Sequence, residues 1–271
     1  MPKNSKKTAS HNQYGDLCEG FHFRYYTPDK LGRRREKKEP DSHFIAAENR
    51  FLDIVVSVLL NRQDLLEDIM CMTNGLEVKL YKGTGFRDFK NDVYFFGRVT
   101  HEGDQMFMEL ATAEVLKGAQ KGHEVLNVVV HELVHVLDFL DGQDGLMPGW
   151  SRTQAKAYRE ARDAECLKIK AGKSPIDSYA LSSRTEFLAV LAETYFIRPK
   201  ALKRSSPELF EIMKSFFKVR PEEVGILWEP EEESKPHRTP IKKPRKRAAT
   251  PKDKKPPVRR KKNKTAGRKH P

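Results

Sequence analysis

Two histidines four residues apart flank a glutamate in the run His131-Glu132-Leu133-Val134-His135. On an α-helix, positions i and i+4 lie one turn apart on one face, so both imidazoles can address a single point while the carboxylate stands beside it. Imidazole nitrogens hold a divalent metal such as zinc, and a neighbouring carboxylate outside the ligand set can take a proton from water. Those are the parts of metal-assisted amide hydrolysis. From Val125 to Leu140 the chain is apolar on nearly every side, which predicts a largely buried helix. Two neutral core histidines could be satisfied there by hydrogen bonds, but a buried Glu132 between them needs a counter-charge, and a metal supplies it.

A catalytic zinc site takes three protein ligands and keeps one position open, so one more donor is required. Asp141 stands six residues after His135, where one group of peptidases places its third ligand. Those proteins turn the chain with a glycine three residues after the second histidine, and here that position is Asp138. Asp138 falls on roughly the same helical face as both histidines and suits a partner for the second nitrogen of an imidazole. Downstream, Glu186 sits in Ser183-Arg184-Thr185-Glu186, which reads equally as a capping box tying off a helix N-terminus. The residues alone leave the ligand and capping readings of Glu186 level. Glu193, seven residues further on the same face, could be a ligand, a support for one, or an exposed helix charge.

The elements that must position these groups are partly readable. Residues 44–72 carry apolar groups at helical spacing, predicting two helices broken near Asn61. Strand patterns follow at Leu76–Tyr81, Val93–Val99 and Gln105–Leu110, separated by turn-forming segments. A small sheet packed on the histidine-bearing helix is expected, in an α+β domain. An edge strand of such a sheet could align an extended peptide by main-chain hydrogen bonds. Asp141-Gly142 should end the metal helix, residues 151–170 form another, and a further helix through Glu186 closes at Pro199.

Charge divides the chain. Residues 231–271 hold 17 Lys and Arg against four Asp and Glu, a net of +13 that equals the formal charge of the whole sequence. With seven prolines and no aromatic residue, that segment cannot bury enough surface to offset its chain entropy. The expected organisation is a flexible basic N-terminal segment over 1–43, a folded domain over 44–228 and a disordered Lys/Arg/Pro-rich tail over 229–271. The tail could bind nucleic acid, non-specifically and with strong salt dependence, because no aromatic platform interleaves its charges. Cys18, Cys71 and Cys166 are too separated for a disulfide framework or thiolate site. No signal-peptide core and no membrane-spanning apolar run is present, so a soluble cytoplasmic protein is expected.

The run from Gly122 to Asp138, with Asp141-Gly142, Glu186-Phe187, Ala189-Val190-Leu191, Glu193, Tyr195-Phe196 and Pro207-Glu208-Leu209-Phe210, resembles the Mlc titration factor A (MtfA) family of zinc-dependent peptidases. The resemblance is clear from about Val115 to Pro221. It implies a gluzincin-like fold, a zinc cofactor, an intracellular location and cleavage of peptide or protein substrates, including aminopeptidase-type activity. It also implies a third ligand seven residues after an active-site tyrosine. Tyr179 and Glu186 have that spacing, so the implied set is His131, His135 and Glu186 as metal ligands, Glu132 as the base and Tyr179 as a donor to the developing oxyanion. A member of the family binds a transcriptional repressor of sugar uptake, which makes a transcriptional regulator a candidate partner. The basic tail is not part of the family pattern.

Overall fold

Alternation of side chains along three strands decides which face of the sheet becomes core. In the computed structural model, which describes residues 20–29, 33–72, 75–88, 92–117 and 127–224, β1 (Phe21–Pro28) is followed by a short β2 (Arg34–Lys37). Helices α1 (Ser42–Val58) and α2 (Gln63–Met70) come next, broken around Asn61 as the spacing predicts. Then follow β3 (Leu76–Tyr81), β4 (Phe86–Asp88), β5 (Val93–Phe95), β6 (Gly97–Glu102), β7 (Gln105–Ala111) and a short α3 (Thr112–Lys117). The remainder is helical: α4 (Val128–Leu140), α5 (Arg152–Lys170), α6 (Arg184–Ile197), α7 (Pro199–Ser205) and α8 (Pro207–Phe217), with a 3₁₀ turn at Ser178–Leu181 before α6. The fold is α+β.

The main sheet runs in the order β2-β1-β3-β7-β6, with β1, β3 and β7 parallel and the outer strands β2 and β6 antiparallel to their neighbours. Leu76, Val78 and Leu80 of β3 and Met106, Met108 and Leu110 of β7 share one face and enter a core with Phe44, Phe51, Ile54 and Val55 of α1. Each large apolar side chain buried this way contributes about 1.5–3 kcal/mol. Residues on the opposite face are tied by charge: Tyr81 Oη donates to Glu109 Oε1 at 2.6 Å, and Arg24 pairs with Glu77 at 3.1 Å. The sheet thus has an apolar side, which seats α4, and a polar one.

Two expectations change. The segment expected to be flexible over 1–43 contributes β1 and β2. Phe21 and Phe23 pack edge-on to Phe51, and Tyr25 packs on Phe44, so burial against α1 holds a stretch that looked merely charged. The strand expected over Val93–Val99 is two strands: β5 pairs with β4 in a separate two-stranded sheet, and after a bend at Phe96 the chain pairs with β7 as β6. The tail expected over 229–271 lies outside the described residues. Among the described residues no helix is long and apolar enough to cross a membrane.

Candidate metal centre

Helix α4 is buried along most of its length, and Asn127 caps it by accepting a hydrogen bond from Val130 N at 3.2 Å. His131 and Glu132 are buried and His135 is half-buried. Packed against α4 is α6, whose residues from Phe187 to Phe196 are buried, so the two helices cross with little solvent between them. Ser183 caps α6 by accepting from Glu186 N at 3.0 Å. The capping reading of Glu186 is thus half right: its backbone is capped, while its carboxylate turns to the histidines. Glu186 Oε2 lies 3.1 Å from His131 Nε2, and Oε1 lies 3.6 Å from His135 Nε2. The two imidazole Nε2 atoms are 3.1 Å apart.

These three side chains can be tested against a metal. Donor atoms bound at about 2.0–2.1 Å with tetrahedral angles sit about 3.3 Å from one another, and the observed separations are 3.1, 3.1 and 3.6 Å. Glu186 Oε2 is buried and aligned too poorly with His131 to accept a hydrogen bond from it. Two nitrogens and an orphaned carboxylate oxygen addressing one point form a group that could hold a metal ion.

Electrostatics without a metal show the same convergence. Burial would lower the His131 pKa, but the carboxylates of Glu186 and Glu193 outweigh it and hold the imidazolium up at about 10. Burial would raise Glu186, but the adjacent imidazoles hold it down at about 2. Glu132 is pushed up to about 7 because burial outweighs the pull of the two histidines. Glu193, fully enclosed, is raised by burial against the pull of His131.

Around the group, each support has a structural source. Glu193, whose role the sequence left open, meets His131 Nδ1 with its Oε1. Tyr179 stands in the 3₁₀ turn, where Asp177 accepts its backbone N–H at 2.7 Å, and its ring centroid is 6.2 Å from that of His131. The phenol remains 51% exposed, with its pKa raised by burial and by Glu186 beside it. Asp138 does not hold an imidazole as its helical position suggested. Its carboxylate accepts from Gly145 N at 2.9 Å, because the chain folds back after α4 and brings unpaired loop amides within reach. A residue that the sequence reading passed over also enters: a Cβ on Gly97 would lie 2.6 Å from Glu132 Oε1 and 2.5 Å from Val128 Cγ2. A glycine inside a strand pattern is the signal for such a close approach.

Residues 86–218 match the model of the glucose-regulated metallo-peptidase M90 family. An uncharacterized protein of Synechocystis is 27% identical over 113 residues, 38% of each chain. Mlc titration factor A of Serratia proteamaculans is 29% identical over 104 residues, 35% of this chain and 39% of that one. Mlc titration factor A of Yersinia enterocolitica is 27% identical over 117 residues, 40% and 43%. The chain spans less than half the length of these relatives. A metal-competent group built on helices α4 and α6 lies within the matched residues, and over that stretch the chain is similar to the glucose-regulated metallo-peptidase M90 family and to Mlc titration factor A proteins.

Proposed function

We propose that the chain is an intracellular zinc-dependent peptidase in which His131, His135 and Glu186 hold the metal. The observation that supports this most is a second acid beside the group. Glu132 is 5% exposed and borders the group without belonging to it, and a purely structural site has no use for such a carboxylate. Zinc, when bound, supplies Lewis acidity to a water and to the scissile carbonyl. Glu132 takes a proton from the attacking water and passes it to the leaving amine. Tyr179, half in solvent at the mouth of the group, donates a hydrogen bond to the tetrahedral oxyanion, an interaction worth roughly 3 kcal/mol for a single donor. Glu193 keeps the His131 proton on Nδ1, so that Nε2 offers its lone pair. The outer strand β6 runs beside α4 and suits an extended peptide added by main-chain hydrogen bonds. Aminopeptidase-type cleavage is within this reading.

The name of two relatives supports a second reading, a non-enzymatic adaptor that titrates a transcriptional regulator, with residues 231–271 adding non-specific nucleic-acid affinity. Metal analysis and hydrolysis of a broad peptide panel by the full chain separate the two. The expected result is stoichiometric zinc in wild type and Glu132→Ala alike, with hydrolysis in wild type alone. Equal rates in both proteins would sink the mechanism, and zinc without hydrolysis of any peptide would favour the adaptor.

A further inference from the structure

We infer that Gly97 is the positioning residue for Glu132, an inference that rests on reading Glu132 as the base. Gly97 opens β6, paired with Leu110 of β7. It shares the strand face turned toward α4 with Val99, which packs on the core, and with His101, whose ring centroid lies 4.9 Å from that of Phe139. A side chain at that position would enter the space held by the catalytic helix: Cβ would stand 2.6 Å from Glu132 Oε1, 2.9 Å from Glu132 Cγ and 2.5 Å from Val128 Cγ2.

Backbone conformation does not explain the glycine, because Gly97 lies outside the left-handed region and any residue could adopt its φ. Space explains it. Among the described residues no hydrogen bond reaches the Glu132 carboxylate. Packing against the bare backbone of Gly97 therefore fixes where the carboxylate sits. Of the atoms a methyl group would meet, those of Glu132 end a flexible side chain, whereas Val128 is β-branched and stiff. The carboxylate gives way first. A misplacement near 1 Å at a reacting centre costs about 10²-fold in rate.

The test compares Gly97→Ala with Gly97→Ala/Val128→Ala, reading zinc content, melting temperature, kcat and KM on full-length protein. Gly97→Ala should keep its zinc and KM while kcat falls about 10²-fold. Removing the Val128 contact should not restore kcat. An unchanged kcat in Gly97→Ala, or recovery of kcat through Val128→Ala, would each overturn the assignment. Should Gly97→Ala not fold, the double variant with Val128→Ala carries the same comparison. Wild-type protein that hydrolyses nothing defeats the peptidase reading instead, a separate outcome.

Discussion

Nδ1 of His131 meets the carboxylate of Glu193, 62 residues further along the chain, and this contact decides which face of the imidazole is available. An ionised carboxylate can only accept, so with a metal bound Glu193 would hold the imidazole proton on Nδ1 and leave Nε2 to offer its lone pair to the ion beside His135 and Glu186. Glu193→Ala should weaken metal affinity by about 10–100-fold, and Glu193→Gln, whose amide oxygen still accepts, by much less. Competition with a chromophoric chelator measures both. Equal affinities for wild type and Glu193→Ala would remove Glu193 from the site.

Tyr179 should separate binding from chemistry. Tyr179→Phe keeps the ring beside His131 and removes only the hydroxyl, so zinc content and KM should stay near wild type. The expected fall in kcat is about 10²-fold, the scale for one lost oxyanion donor. A change in KM alone, in steady-state kinetics on a peptide the wild type cleaves, would assign the phenol to substrate binding.

Glu132 makes the metal-free protein pH-sensitive in a defined direction. Its folded pKa of about 7 lies above the ordinary value of 4.5. Between those values the unfolded chain has released its proton while the folded chain retains it, so stability falls as pH rises through this window. Glu186 acts in the opposite sense at lower pH. Its folded pKa of about 2 lies below 4.5, so its stabilising contribution, full above 4.5, is lost as pH drops toward 2. Chelator-treated Glu132→Gln should lose the decline between pH 4.5 and 7 in thermal melts. An unaltered slope would mean that Glu132 does not hold a proton in the fold.

Asp138 should behave as a structural acid. Losing its carboxylate leaves the buried Gly145 N–H without its acceptor, at a cost of about 1–3 kcal/mol. Asp138→Ala should therefore lower the melting temperature, while Asp138→Asn, which still accepts, should lower it less. Metal affinity of Asp138→Asn should match wild type. A large loss of affinity there would return Asp138 to the imidazoles.

Legibility in the sequence followed the range of the interaction. The helix carrying both histidines, the break near Asn61 and the strands expected at Leu76–Tyr81 and Gln105–Leu110 rest on local periodicity and turn chemistry, and all were readable. Strand β1 was not, because its apolar positions acquire meaning only against Phe44 and Phe51. Glu186 could not be decided from its neighbourhood, since the third position of a helix serves a cap and a distant site alike. Asp138 was misplaced for a related reason. Helical phase put it near the histidines, but the returning loop offered it backbone donors first. Gly97 carried a visible mark, an interior strand glycine, yet only the crossing of β6 by α4 shows what its missing side chain makes room for.

The distance along the chain between His131 and Glu193 also orders events in time. A nascent chain that has emerged as far as α5 already displays both histidines and Glu132, while Glu186 and Glu193, on the following helix, are not yet free to fold against them. Until α6 docks, the His131 tautomer is unset and the third donor is absent. Assembly of the three-residue group therefore waits for α6 to dock, and a chain truncated before α6 would present the two histidines without their carboxylate partners.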